Sequence, residues 1–399
     1  MKDVGVFQLK NGYWGFRCNF NHNGKKIDQK KTTDMYGNRL KTKREAVKAR
    51  EEAMIELHSN REVSIERRTV GQVFKEYCDN GRMDKAYSTI MKQDSLWKNH
   101  ISIAFGDRYV DEIAVAEIND FLSKLYYDNG FSYSYVEGFL KMFYLIFGQA
   151  YTRNYLHIDA YCKLCTNKSS KIHMPRMKID DEQTIVSFSS DELAILDRYF
   201  KGTNVETAYM LGRYCGLRIN ECFGLKWSNV DFITGTIRLD RQMQYQEGLI
   251  KLVPLKTKNA KRTIYMNDIL ASHMLATYEQ RTLDAAKYED IRRQHTIAII
   301  DSDGSSVLST DMVNCTPKGR LLTLNSFKYH TRDIRALYGI DFKYHYLRHT
   351  YGTKLAEMNT PAYLLCNQMG HGNIQVTQKY YISVSDTGVE ILKGNLDKL

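Results

Sequence analysis

Apolar positions along this 399-residue chain change period as the chain proceeds. Up to about residue 33 they alternate with polar ones: VFQLK, then Asn11-Gly12, then YWGFRCNF, then Asn23-Gly24, then KKIDQKKTT. Side chains two apart share one face of a strand, and Asn-Gly between alternating runs is a hairpin signal, so three strands are predicted here. Thr42 and Glu45 have the spacing of a capping box, ahead of Ala46, Val47, Ala53, Met54 and Leu57 on one helical face. From Thr69 to about Cys165 the period is helical, through Val70, Val73, Phe74 and Tyr77, then Ile113, Ile118, Phe121, Leu122 and Leu125, then Phe139, Phe143, Ile146 and Phe147. No proline interrupts this part, and four or five helices are predicted.

The stretch TNKSSKIHMPRMKIDDEQT is polar and holds the first proline, as a linker should. Beyond it, Ser189 and Glu192 predict a capped helix in SSDELAILDRYF. Another helix is expected from about Val205 to Cys215, stopped by Gly216, with Arg218 opening a short third one. Strand-like runs follow at TIRLDRQMQY, LIKLVPL and RTIYM, and the remainder reads as mostly helical. The expected fold class is multidomain and mainly α with α+β parts. A small three-stranded sheet plus helix occupies 1–66, an all-α module 67–168, a linker 169–186, and a mixed α/β domain 187–399.

Charge narrows the partners. The formal net charge is +11 and the pI about 9.0, which favours a polyanion. Residues 1–70 hold 16 Lys and Arg against 9 Asp and Glu, so +7 of the +11 sits in less than a fifth of the chain. Arg17, Lys25, Lys26, Lys30 and Lys31 would present cations to a DNA groove, and Lys85, Lys92, Lys98 and Lys141 of the helical module could meet phosphates. The plainer alternative is a solvated basic face. No signal-like start and no run of uncharged apolar residues long enough to span a bilayer is present, so a cytoplasmic chain without membrane contact is expected. The eight cysteines form no disulfide-like framework, and the lone CxxC, Cys162 and Cys165, is expected to be buried thiol rather than zinc site. No metal and no cofactor are expected.

Four stretches carry candidate chemistry: GLRINE, LKTKNAKRTI, HYLRHTYGT and MGHGNIQVTQKYY. Each alone has an ordinary explanation, such as Arg218 pairing with Glu221 at i,i+3 or a solvated hairpin tip at Lys256 and Lys258. Together they supply what attack on a phosphodiester requires. Charge builds on the non-bridging oxygens, and two guanidinium forks, Arg218 and Arg348, can hold it. His345 shares a helical face with Arg348 and can move a proton. His371, between two glycines, can approach the phosphate closely. A hairpin lysine can protonate the departing 5′ oxygen. Only a nucleophile is lacking, and the adjacent Tyr380 and Tyr381 stand about 100° apart on a helix, which does not choose between them. A metal-dependent nuclease using His330, His345 and His349 is disfavoured because no adjacent acidic pair supplies hard oxygen ligands.

In this order, Arg218, a hairpin lysine, His345-x-x-Arg348, His371 and a tyrosine, the chain resembles the tyrosine recombinases, or phage integrases. The likeness runs over nearly the whole chain, with a helical core-binding domain in the middle and a basic arm-binding domain in front, most like integrases of conjugative transposons. It implies that the nucleophile follows the GH histidine by nine residues, at Tyr380, and that Lys256 is the acid, with Lys258 the alternative. It also implies a 3′-phosphotyrosyl intermediate, strand exchange through a Holliday junction by a homo-tetramer on double-stranded DNA, no need of ATP, and accessory DNA-bending or excision proteins as possible partners. The tail, with Val389, Ile391 and Leu392, would dock on a neighbouring protomer. A DNA-binding regulator that cuts nothing, and a resolvase of replicon dimers, are the competing readings.

Overall fold

The computed structural model describes residues 5–22, 25–34, 37–59, 66–167, 170–178, 185–255, 258–382, 393–394 and 396, with backbone alone at 19–22, 25–27, 55–59, 258 and 382. Lys256, the Asn23-Gly24 turn and the tail residues Val389, Ile391 and Leu392 lie outside the described residues, as do the side chains of Lys25, Lys26, Leu57 and Lys258. The chain divides into two compact units, Met1–Met177 and Lys178–Leu399.

The first unit opens with β1 (Val6–Gln8), β2 (Trp14–His22) and β3 (Lys25–Lys31), an antiparallel sheet with β2 in the centre. Gly12 takes a φ of 86° in the first turn, a conformation open to glycine at little cost. Alternation along β2 puts Phe16 and Cys18 inward against Leu40, Ala46, Ala49 and Ala53, while Arg17 points outward and pairs with Asp28 across the sheet. Helix α1 (Lys43–Ser59) starts on the expected box, in which Glu45 N–H donates to Thr42 Oγ1 at 3.2 Å and Thr42 N–H to Glu45 Oε2 at 3.4 Å.

A separate core holds the helices α2 (Val70–Asn80), α3 (Tyr87–Leu96), α4 (Ser102–Phe105), α5 (Val115–Ser123), α6 (Tyr133–Thr152) and α7 (Ile158–Tyr161). Thr69 caps α2 through a box with Gln72. Along α6, Phe139, Phe143, Ile146 and Phe147 are fully buried, and Phe121 meets Phe105, Phe139 and Phe143 edge to face. Lys85, Lys92, Lys98 and Lys141 are exposed. Lys85 pairs with Asp84 and Lys141 with Glu137.

The second unit begins with α8 (Ser190–Phe200), capped by Ser189 and Glu192 as the spacing predicts. Helix α9 (Glu206–Cys215) ends at Gly216, with φ of 62°, and α10 (Ile219–Phe223) begins straight after Arg218. The strands form two sheets. One is antiparallel, in the order β4 (Val230–Asp231), β5 (Thr236–Leu239), β8 (Arg262–Tyr265). The other contains β6 (Arg241–Gln246) and β7 (Leu249–Pro254), extended by β9 (Ala298–Asp301) and β10 (Ser306–Leu308), with β7 parallel to β9. The run TIRLDRQMQY is thus two strands in different sheets, divided at Asp240, and the β9–β10 hairpin adds strands where helix was expected. Helices α11 (Asp268–Lys287), α12 (Glu289–His295), α13 (Phe327–Tyr338), α14 (Tyr344–Glu357), α15 (Ala362–Met369) and α16 (Ile374–Ile382) complete the unit. α14 packs on α9, where Tyr344 and Leu347 come so near Gly212 that a Cβ there would lie 2.9 Å from each. That close crossing fixes α14 beside the Gly216 turn, from which the site is built.

Candidate active site

Arg218, His345, Arg348, His371 and Tyr380 converge in the second unit from the cap of α10, from α14, from the α15–α16 turn and from α16. Arg348 is 1% exposed. It donates through Nη1 to the Gly216 carbonyl at 2.7 Å and through Nη2 to the Met369 carbonyl at 2.5 Å, tying α14 to the two turns that carry Arg218 and His371. Arg218 is more open. Its Nη1 donates to Glu221 Oε1 at 2.7 Å and its Nη2 to the Gly370 carbonyl at 3.2 Å.

Glu221 is the carboxylate at the centre, 1% exposed. Both its oxygens also accept the fork of Arg262, at 3.2 and 3.0 Å. Burial pushes the Glu221 carboxyl up, but the hydrogen bond and charge of Arg262, with Arg218 and Arg348 adding to them, outweigh it and hold the group near 2. Burial, then the charges of Arg218 and Arg262, push the Arg348 guanidinium down to about 9 against the pull of Glu221, so it stays cationic at neutral pH. Three guanidiniums therefore share one carboxylate, and the cluster carries excess positive charge.

Both histidines of the set are neutral in the free protein. The His371 ring falls to about 3 through burial, then Arg348, Arg218 and Arg262, and its Nδ1 lies 2.8 Å from Thr377 Oγ1, which leaves Nε2 as the nitrogen not so engaged. His345 drops to about 4. Burial leads there, followed by His349, Arg348 and Arg218, yet this residue is exposed at the surface, so the cationic neighbours are the firmer part of the push. Its ring lies 4.6 Å from that of His349, which is in turn 6.1 Å from Tyr380 and edge-on to it.

The two tyrosines part company. Tyr380 is 6% exposed and its ring runs parallel to that of His371 at 6.1 Å. Burial raises its phenol, while Arg348 and Arg218 draw it back down. It packs over Gly352 of α14, where a Cβ would lie 2.9 Å from the ring. Tyr381 is exposed and its hydroxyl donates to the Thr360 carbonyl, away from the arginines.

Several contributors escaped the sequence. Arg262 stands in NAKRTI with nothing to set it above Lys261, and Gly352 reads as a weak spot in a helix. Glu221 stood out only as an i,i+3 partner of Arg218. His330 is elsewhere, on α13, bonded to Tyr199 and Asn204. Among the described residues no group of three or more His, Cys, Asp and Glu is placed to hold a metal ion, all eight cysteines are free thiols, and no helix is long and apolar enough to cross a membrane. Lys30 is exposed and Lys31 half-buried.

Comparison with known proteins bears on the family and the fold. Residues 175–387 match the phage integrase family and residues 69–126 its N-terminal SAM-like domain. A tyrosine recombinase XerC-like protein of Caldanaerobacter subterraneus subsp. tengcongensis is 28% identical, over 94% of each chain. The ICEBs1 integrase of Bacillus subtilis is 22% identical, over 91% of this chain and 94% of its own. The Tn1549 transposon integrase, solved in complex with a circular intermediate DNA, shares the fold at a TM-score of 0.64 and 18% identity, over 82% of this chain and 99% of its own. A lambda integrase dimer bound to a COC′ core site does so at 0.51 and 15%, over 97% of both. Fold, motif order and family match coincide: the chain belongs to the phage integrase family of tyrosine recombinases, enzymes that cleave and rejoin DNA.

Proposed function

We propose that this chain integrates and excises a mobile element of the conjugative-transposon or phage type, using Tyr380 as nucleophile. The observation that carries the reading is the cluster of Arg218, Arg262 and Arg348 around one carboxylate, with a buried phenol beside it. Unbalanced positive charge in a partly desolvated site stabilises an anion, and it stabilises best the transition state of phosphoryl transfer, where charge on the oxygens is greatest. Arg218 and Arg348 bind the non-bridging oxygens, His371 donates from Nε2, and His345, neutral before DNA binds, takes the phenol proton. Lys256, or Lys258, protonates the 5′ oxygen. The phosphotyrosyl bond keeps the energy of the phosphodiester, so neither ATP nor a metal is required. Four copies on two duplexes would exchange strands through a Holliday junction, as the lambda integrase tetramer was seen on one, and accessory DNA-bending proteins would select the direction.

A DNA duplex nicked near the scissile phosphate, so that the cut strand diffuses away, tests the reading in the presence of a chelator and without nucleotide. A denaturation-resistant protein–DNA adduct with a free 5′ hydroxyl is expected. DNA that is bound but never attached would mark a regulator that cuts nothing.

The sheet and α1 form, on this reading, a separate arm-binding domain of residues 1–66, ahead of a core-binding domain at 67–168, a linker at 169–186 and the catalytic domain at 187–399. Arg17, Lys25, Lys26, Lys30 and Lys31 supply its phosphate contacts, with Lys85, Lys92, Lys98 and Lys141 serving the core-binding domain. Deleting 1–66 is expected to leave cleavage of a core site while abolishing binding to a second, separate site. Binding by the isolated 1–66 fragment should fall steeply with salt as counterions are released. A truncated protein that holds both sites would remove the arm-binding assignment.

A further inference from the structure

Two buried polar atoms of α14, His349 Nδ1 and Thr353 Oγ1, engage no hydrogen-bond partner among the described residues. Buried polar groups are nearly always paired, and two left over beside a reacting group call for a reason. They stand one turn apart, with His345 one turn earlier, so all three side chains share a face of the helix. Gly352 lies next to Thr353, and the Tyr380 ring rests on it. His349 is therefore placed between two groups of the reaction. Its ring centre lies 4.6 Å from that of His345 and 6.1 Å from that of Tyr380, edge-on to the phenol, both within the range of direct ring contact. His345 reaches the surface, whereas His349 is half-buried. Burial, then the charge of Arg348, lowers the pKa of the His349 ring. At neutral pH it is thus uncharged, with one nitrogen that can accept a proton and another that can give one.

We infer that His349 is a further catalytic residue: it accepts the phenol proton of Tyr380 and passes its own to His345, a relay of two imidazoles leading from the buried nucleophile to the surface. The inference rests on the reading of Tyr380 as nucleophile and of His345 as the destination of its proton. In cleavage the Tyr380 oxygen bonds to phosphorus while its O–H bond breaks toward the unprotonated nitrogen of His349. The other nitrogen of His349 releases its proton to His345, which becomes the cation, and the bound phosphate supplies the negative charge that lets it do so. The phosphorus–O5′ bond breaks with its electron pair going to O5′, which is protonated by the lysine already proposed as acid. Rejoining runs the same path backward. His345 returns its proton, the phenol oxygen recovers one from His349, and each round of cleavage and rejoining restores both tautomers.

A ring-fluorinated tyrosine at 380 separates proton transfer from packing. Fluorine draws the phenol pKa down from its ordinary value of about 10 toward neutrality, so the nucleophile depends less on a base. In the full-length chain with the ordinary tyrosine, His349→Gln and His349→Asn are expected to slow single-turnover adduct formation about 100-fold, the lower end for loss of a general base. Each places an amide near one or other ring nitrogen, which can hydrogen-bond but cannot take the proton, and two variants keep the test independent of the folding of one. With the fluorinated tyrosine the same substitutions should cost about threefold or less, and His345→Gln should be relieved in the same way. An undiminished loss in the fluorinated background, or cleavage by the His349 variants at the unsubstituted rate with the ordinary tyrosine, overturns the inference. Relief of His345→Gln without relief of the His349 variants means that the proton passes straight to His345, and removes the inference alone. If Tyr380→Phe still forms the adduct, the nucleophile reading falls and the inference with it.

Discussion

Tyr380→Phe will bind its DNA and never become attached to it. The substitution deletes one oxygen and leaves the ring, so the packing over Gly352 and the parallel approach to His371 survive. The charge that draws DNA to the site is untouched, because Arg218, Arg262 and Arg348 keep their partners. The oxygen proposed to attack is gone, and covalent adduct on the nicked duplex should drop to background while the binding isotherm stays close to where it was. Tyr381→Phe should go on cleaving, since its hydroxyl serves the Thr360 carbonyl and faces no arginine. An adduct formed by the Tyr380 variant and lost by the Tyr381 variant would reverse the assignment.

Arg348→Ala carries the second large effect, and it acts on both rate and fold. On the proposed reading its guanidinium faces the phosphate when charge develops, and loss of one such donor would cost on the order of 100- to 1,000-fold in rate. Affinity for uncleaved DNA should change much less, because the ground-state phosphate is less demanding than the transition state and the other cations remain. The fold suffers too. Truncation strands the buried carbonyls of Gly216 and Met369, each unmet acceptor costing about 1–3 kcal/mol, partly offset by relief of repulsion with Arg218 and Arg262. Arg218→Lys, at a more open position, should slow cleavage with a smaller loss of thermal stability. Parallel falls in affinity and rate would make both arginines simple phosphate anchors.

How far the sequence could be read follows from the range of each interaction. The caps of α1 and α8 were legible because Thr42 and Glu45, or Ser189 and Glu192, meet within one turn. The stop at Gly216 was legible because a left-handed residue ends a helix wherever it stands. Motif order gathered the five site residues, and burial then separated Tyr380 from its neighbour, which periodicity could not do. Glu221 and Arg262 were harder, being 41 residues apart; a buried ion pair between distant segments leaves no periodic trace. The break at Asp240 was hidden because alternation runs on through it while the hydrogen-bonding partners change from β8 to β7. The β9–β10 hairpin is short, and its pairing with β7 is a long-range contact.

The seat of Tyr380 has a further consequence. A glycine at 352 lets α14 and α16 of one chain close over the ring, so the phenol is lodged against the same helix that supplies His345 and Arg348. On the proposed assignment, Arg218, His345, Arg348, His371 and Tyr380 then all come from one copy. In an assembly of several copies, sharing of these five groups would then not decide which strands break first. On that reading, alternation between active and idle copies would come from small displacements of α16 against α14 within each copy.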